Sequence, residues 1–393
     1  MDIAIIITFC ILLLIAYFFD LTAAKTKIPA VIFLLLLGWL VRQLAAISDI
    51  HLPDFSMVLP VLGTIGLILI VLEGSLELEL NKSKIPLIRK SFLGALFPMI
   101  TLAFVLGFMF HYFELSSFKD SLTNAIPFCV ISSAIAIPSV RSLTSFNKEF
   151  VIYESSFSDI LGVLFFNFIA LNSIFDTTSF GNFGLQLITM IGVSFVATLG
   201  LSFLLNKIEH HIKFVPIILL VILIYAVSKI YHLPALIFIL VFGLFLGNLD
   251  ELRRVKWIQQ FNPEKLNLEV KKFKELTIEA AFIVRSLFFL LFGYLIETSE
   301  LLNTETLIWA SGIVFAIVLI RIIQLKISKL PLKPLMFIAP RGLITILLFL
   351  SIEPVQKLML VNKALIIQVI ILTALLMMIG LMITKKKTGN EMD

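Results

Sequence analysis

Glu154-Ser155-Ser156-Phe157-Ser158-Asp159-Ile160-Leu161-Gly162-Val163-Leu164-Phe165-Phe166 sets two acids five residues apart at the head of an apolar run. The run is long enough to cross a bilayer, so Asp159 has no water-facing loop to occupy. A carboxylate at hydrocarbon depth is expensive, and such a residue marks a functional site. A bound cation or proton would offset the cost.

The rest of the chain agrees with a membrane setting. Its 393 residues are 60% hydrophobic and 15% charged, with a mean hydropathy of +1.07. Soluble domains hold about 45–50% apolar and about 25% charged residues, so an all-α integral membrane protein is expected. Many segments reach the roughly 20 apolar residues that span a bilayer as a helix, and the period-two alternation of a membrane β-barrel is missing. Cys10 and Cys129 both lie in apolar spans, which excludes a disulfide framework or a metal cluster. The first apolar run follows Met1-Asp2 without a basic leader, so it reads as a retained helix.

About thirteen spans are expected, near 3–19, 28–46, 57–76, 91–113, 123–143, 150–173, 183–206, 214–230, 233–248, 278–296, 305–325, 333–353 and 363–384. Charge tests the count independently, because cytoplasmic loops carry the excess of Lys and Arg. Loops on the N-terminal side hold Arg42, Lys119, Lys229, Lys357 and Lys363. Arg285, Arg321 and Arg341 lie within spans, which leaves 23 of the 31 basic residues on the opposite side. The expected topology is therefore an outside N-terminus and a cytoplasmic C-terminus, with one transmembrane domain over 1–393 and no soluble regulatory domain. The net charge of +5 then reflects orientation, and no nucleic acid partner is expected.

Two spans carry a breaking signature in mid-run: Ser132-Ser133-Ala134-Ile135-Ala136-Ile137-Pro138 in the fifth and Ala339-Pro340-Arg341-Gly342 in the twelfth. They are seven spans apart and so run in opposite directions. Paired broken helices in two inverted six-helix repeats, here about 1–175 and 214–385, point to a transporter's binding site.

The sixth span enters from the cytoplasm near residue 150, which puts Asp159 roughly 14 Å deep and Glu154 about 6 Å deep. At about 100° per residue the two acids lie about 140° apart around the helix and face different neighbours. Asp159 shares a stripe with Ser155 and Gly162. A proton and a monovalent cation can compete for one such carboxylate, with Ser155, Ser158 and carbonyls freed by a break at Pro138 completing the oxygen shell that hard cations prefer. A fixed ion pair or a cap on a backbone break is the alternative. Glu154 matches Arg321 of the eleventh span in depth, and a buried Arg needs a partner, so a Glu154–Arg321 pair is expected ahead of direct ion binding by Glu154. Arg341 would neutralise helix C-terminal dipoles or pair with an acid. Arg285 and Glu73 are expected to be stabilising or interfacial, each within reach of the cytoplasmic surface by snorkelling. His210-His211 could sense pH but fits a solvated loop better. The basic stretch from Glu251 to Glu275, with Trp257, Phe261, Leu266, Leu268 and Phe273, reads as a surface helix on lipid or a linker. No nucleophilic triad, phosphate-cradling loop or cofactor motif is present, so an enzyme is not expected.

These residues resemble the monovalent cation/proton antiporter superfamily, nearest its sodium/proton exchanger (NhaP/NHE-like) branch, over essentially the whole chain. Thr26-Lys27-Ile28-Pro29 and the run to Gly38 resemble the family's second helix. Leu72-Glu73-Gly74-Ser75-Leu76-Glu77-Leu78 is similar to its "FEGGLEL" ending, Phe288 to Gly293 to its tenth helix, and Pro340-Arg341-Gly342-Leu343 to its "RG" twelfth. Glu154-Ser155-x-x-Ser158-Asp159 is similar to "ES-x-x-ND" with Ser for Asn. The resemblance implies an NhaA/NhaP-like antiporter fold in which helices 4–6 and 11–13 move against a panel, within a homodimer in a cell membrane such as a bacterial inner membrane. It implies Asp159 as the shared cation and proton site, Ser155 as a ligand, Glu154 with Arg321 as a stabilising pair, and sodium exchange with no cofactor. Two departures stand out: Ser158 replaces Asn, and Ala136-Ile137-Pro138 stands where the branch has Thr-Asp-Pro, which would strip polar groups from the fifth helix. The electrogenic branch has a second Asp where Ser158 stands, so one acid implies electroneutral exchange. A potassium/proton antiporter, a channel-like potassium efflux protein and a non-transporting sensor or partner are the alternatives.

Overall fold

In hydrocarbon every backbone N–H and C=O must bond within the protein, and a chain with no strand periodicity meets that demand as helices. A computed structural model describes residues 2–26, 28–48, 55, 57–140, 143–172, 177–208, 210, 212–252 and 263–384. It is all-helical over the described residues: α1 (Asp2–Thr26), α2 (Ala30–Ile47), α3 (Val58–Glu77), α4 (Ile85–Glu114), α5 (Phe118–Ala125), α6 (Ser133–Ser139), α7 (Ser145–Leu171), α8 (Thr177–Lys207), α9 (Phe214–Ile230), α10 (Leu236–Gly247), α11 (Leu249–Leu252), α12 (Pro263–Tyr294), α13 (Thr298–Leu301), α14 (Thr304–Ile327), α15 (Leu343–Leu350) and α16 (Lys363–Ile383). Among the described residues nine helical stretches are long and apolar enough to cross a membrane. Shorter apolar helices lie at Ile7–Ala23, Phe214–Ile230 and Leu236–Gly247.

The helices sort into two packed groups. In one, α12 lies against α2 and α3, α10 against α3 and α8, and α1 against α2 and α12. In the other, α4 packs on α5, α7 and α14, and α14 on α16. The short helices α6 and α15 lie on the seam, since α6 touches α7, α3 and α1 while α15 touches α3 and α7. Close packing of α10 on α3 depends on a small-xxx-small spacing. A Cβ on Gly243 would sit 2.7 Å from the Ser75 Cβ, and one on Gly247 2.8 Å from the Leu76 carbonyl oxygen.

Three expectations need correction. The polar stretch after residue 263 is neither a linker nor a separate surface helix. Residues 263–277 are the first turns of α12, which starts 15 residues ahead of the expected span. Leu266, Val270, Phe273 and Thr277 form one buried stripe at helical spacing. The charged opposite face hides that stripe from a hydropathy average. Lys213 closes this end with a 2.5 Å ion pair to Glu269. Trp257 and Phe261 lie outside the described residues, as do His211, Lys27 and the C-terminal lysines.

The second correction moves the fifth-span break. After α5 a 3-10 turn covers Ile126–Phe128, the backbone leaves helical geometry at 129–132, and Pro138 lies inside α6. Long-range bonds hold the break where it is: the Ile131 N–H donates to Ser158 Oγ at 2.9 Å, and the Ser132 N–H donates to the Pro340 carbonyl at 2.9 Å. The twelfth-span break falls as expected, with a 3-10 turn at Leu335–Phe337, an irregular stretch holding Pro340 and Arg341, and then α15.

Third, of the stabilising and interfacial places open to Glu73 and Arg285, the interfacial one is not taken. Both are buried, and Arg285 faces Asp20 of α1 at 4.0 Å.

Candidate functional site

The Ser132–Pro340 bond joins the two breaks, so the N-cap residue of α6 touches the chain just before α15. Gly342 permits this approach, because a Cβ there would come within 2.8 Å of Ser132 Oγ. The positive ends of two short helices therefore converge. Arg341 binds the complementary negative ends: its Nε donates to the Phe128 carbonyl at 2.6 Å and its Nη1 to the Ala339 carbonyl at 3.0 Å. Of the two arrangements open to Arg341, neutralising carbonyl ends is the one observed. Its backbone N–H is held by Thr373 Oγ1 of α16 at 3.1 Å.

Asp159 on α7 faces this junction and is 1% exposed. Its Oδ2 accepts a hydrogen bond from Ser133 Oγ, and its Oδ1 is buried without a hydrogen-bond partner. Ser132 Oγ is also buried and unpaired. An unmet buried polar atom costs about 1–3 kcal/mol, more when charged. The junction thus offers one acid oxygen and one hydroxyl with unused bonding capacity.

The structure places three of the expected oxygen donors differently. Ser158 Oγ accepts from the Ile131 N–H and so caps the break. Ser155 Oγ, fully buried, donates to the carbonyl of Ile152 at 3.4 Å, one turn back on its own helix. The carbonyls freed by the break come from residues 129–131 rather than from around Pro138, since the Ser132 carbonyl accepts from the N–H groups of Ile135 and Ala136. Ala136 and Ile137 do leave α6 apolar there, but Ser132 and Ser133 bring hydroxyls to the junction at the N-terminus of that helix. Ser133 is the partner that the sequence reading missed; two consecutive serines inside an apolar run were the available signal.

Glu154 is one and a half turns closer to the start of α7 and faces α14. Arg321 binds it with both terminal nitrogens, Nη2 to Oε2 at 2.7 Å and Nη1 to Oε1. Arg321 Nε also donates to the Leu335 carbonyl at 3.1 Å, so the pair ties α7, α14 and the start of the twelfth span together. Both residues are buried. Gln324, one turn beyond Arg321, is buried with both amide atoms unpaired.

Two cavities lie on the seam, at opposite ends. One of about 290 Å³ is lined by Thr64, Val163, Asn167, Tyr225, Ile344 and Gln356 among others. The other, about 20 Å³, lies between α6 and the α1, α2 and α12 group. Asp159 lines neither.

A family model described as sodium/hydrogen exchanger, transmembrane, matches residues 10–385. No curated protein sequence matches. Among solved structures, the sodium proton antiporter MjNhaP1 from Methanocaldococcus jannaschii at pH 8 superposes with a TM-score of 0.69 at 20% identity, covering 96% of this chain and 100% of that one. An electron-microscopy map of the same antiporter gives a TM-score of 0.68 at 21% identity, covering 96% and 94%. At these identities the likeness concerns the fold.

Proposed function

The chain belongs to the sodium/hydrogen exchanger family, and on that premise we propose that it exchanges sodium, or another monovalent cation, for protons one for one at Asp159. It is a multi-pass membrane transporter rather than an enzyme, and its ions are cargo. The observation that carries the reading is the buried Asp159 Oδ1 without a partner, facing the junction of two broken helices.

The chemistry follows from charge. One carboxylate carries one negative charge, which one proton or one alkali cation neutralises. Ser132 Oγ, Ser133 Oγ and backbone carbonyls of 129–131 are hard, neutral oxygens suited to complete a cation's shell. Among the described residues no group of three or more His, Cys, Asp or Glu is assembled, and a lone acid fits a monovalent ion better than a divalent one. Arg341 stays bound to carbonyl ends, so it contributes a fixed field rather than a competing partner. Glu154 is held by Arg321, leaving Asp159 as the exchanging group.

Alternating access then needs the site exposed to one side at a time. The group of α4, α5, α7, α14 and α16, with α6 and α15, moves against the group built on α2, α3, α10 and α12, and the seam cavities become the two access routes. Inverted repeats at about 1–175 and 214–385, a homodimer, an outside N-terminus, a cytoplasmic C-terminus and a bacterial inner membrane complete the proposal. An inward proton gradient protonates Asp159 from outside and drives the cation out.

In proteoliposomes a cation pulse is expected to move protons at a rate that an imposed membrane potential leaves unchanged. Flux that scales with potential would contradict one-for-one exchange, and rapid cation flux without proton movement would favour a channel.

A further inference from the structure

The seam is hollow on one side of Asp159 and filled on the other. Where α7 finishes, Val163, Phe166, Asn167 and Ala170 line the cavity of about 290 Å³. They continue the helix face that carries Asp159, with Val163 one turn beyond it. Exposed Lys229, His232 and Glu353 stand at the rim of that cavity.

Where α7 begins, an apolar cluster separate from the main core occupies the seam. Leu78, just past α3, and Leu240 of α10 belong to one helix group. Ile137 of α6 and Tyr153 and Phe157 of α7 meet them from the other side. Ile137 is one turn past Ser133, the donor to Asp159, so this packing closes the seam about one turn from the acid. Gly74 lets α3 come close: a Cβ there would lie 3.0 Å from Ser156 Oγ and 3.7 Å from Ile137 Cδ1. The Tyr153 hydroxyl crosses the same joint and donates to the Glu79 carbonyl at 2.6 Å. Lys84 adds ion pairs at the rim, 2.6 Å from Glu79 Oε2 and 3.2 Å from Glu149 Oε2, and pairs in contact with water contribute little.

Parting apolar side chains exposes their surface to water, which is unfavourable but leaves no charge stranded. A neutral hydrogen bond adds a modest, directional lock. Such a joint suits a closure that opens and re-forms in every cycle. A buried ion pair such as Glu154–Arg321 does not, because separating it strands two charges.

We propose that Ile137 and Tyr153 are the gate residues on this side of Asp159: Ile137 plugs the seam, and the Tyr153 hydroxyl latches the plug to the Glu79 carbonyl while the wide cavity is open. The inference rests on the exchange reading of Asp159. It gives the apolar Ile137 a task, since the plug requires a side chain there that excludes water.

The test is the rate at which a small, membrane-impermeant thiol reagent modifies single introduced cysteines in the purified protein in nanodiscs. The rate of the parent, which has Cys10 and Cys129, is subtracted. Asn167→Cys reports the wide cavity, and Ser156→Cys, buried beside Gly74, reports the plug. With Tyr153→Phe added, Ser156→Cys is expected to react about fivefold faster, the size of one lost neutral hydrogen bond. Asn167→Cys should react more slowly, because the two open states share one population. Ile137→Ala is expected to shift each rate in the same sense as Tyr153→Phe, and it carries the test if that variant does not fold. Side chains that only stabilise the fold would loosen both sites when lost, so a rise at both cysteines overturns the proposal. Unchanged rates at both overturn it too, and with an inactive Asp159→Asn they spare the exchange reading. Transport that survives in Asp159→Asn refutes the exchange reading itself.

Discussion

Asp159→Asn is expected to abolish cation-driven proton movement and to leave the protein folded. Two opposed effects separate here. Burying a carboxylate is costly unless it is paired, and Asp159 has one partnered oxygen, from Ser133, and one with none. Replacing it with a neutral amide of the same shape removes that cost, so thermal stability in detergent should hold or rise. Function should fall to background, because asparagine neither takes a proton nor balances a cation's charge. Ser133→Ala is the graded companion: it removes the hydroxyl donor but keeps the acid, so exchange should persist with altered cation affinity. Flux equal to wild type in Asp159→Asn would remove the assignment.

Loss of one member of the Glu154–Arg321 pair should cost stability instead. Both groups are buried, and Arg321 holds Glu154 with two nitrogens while bonding the Leu335 and Ile338 carbonyls. Removing one partner leaves an uncompensated buried charge, at about 3–5 kcal/mol. Whole domains are stable by about 5–15 kcal/mol, so Glu154→Gln or Arg321→Met is expected to lower the melting midpoint sharply and reduce folded yield. The double variant Glu154→Gln/Arg321→Met should recover much of the loss, since the stranded charge is gone. A single Glu154→Gln with unchanged stability and lost exchange would instead make Glu154 an ion ligand.

These predictions divide along the line between what the sequence exposes and what it conceals. Asp159 is legible because an ionisable group stands out in an apolar run, and Glu154–Arg321 because two buried charges of opposite sign match in depth. The junction itself is concealed. The Ser132–Pro340 bond links residues 208 positions apart, and no local pattern announces it. Pro138 gave the visible breaking signal, yet the break lies at 129–132, where the backbone bonds Ser158 and Pro340. The same displacement explains why Ala136-Ile137 seemed to empty the junction of polar groups, when Ser132 and Ser133 supply them from the start of α6. Asp20 was concealed for a simpler reason. Hydropathy ends the first span at residue 19, while α1 continues to Thr26 and carries Asp20 inward to Arg285. The early start of α12 follows the same logic, since an average over residues 263–277 mixes a buried stripe with a charged face.

In the proposed exchange, one carboxylate serves cation and proton in turn. Competition at one site makes binding reciprocal: a cation that binds must displace the proton, and each pH unit of acidification weakens cation binding about tenfold while the acid is protonated. The direct measurement is proton release on sodium binding to the purified, weakly buffered protein, with Asp159→Asn alongside. One proton released per cation bound, and neither binding nor release in Asp159→Asn, is the predicted result. Sodium binding without proton release, or release that persists in Asp159→Asn, would contradict it.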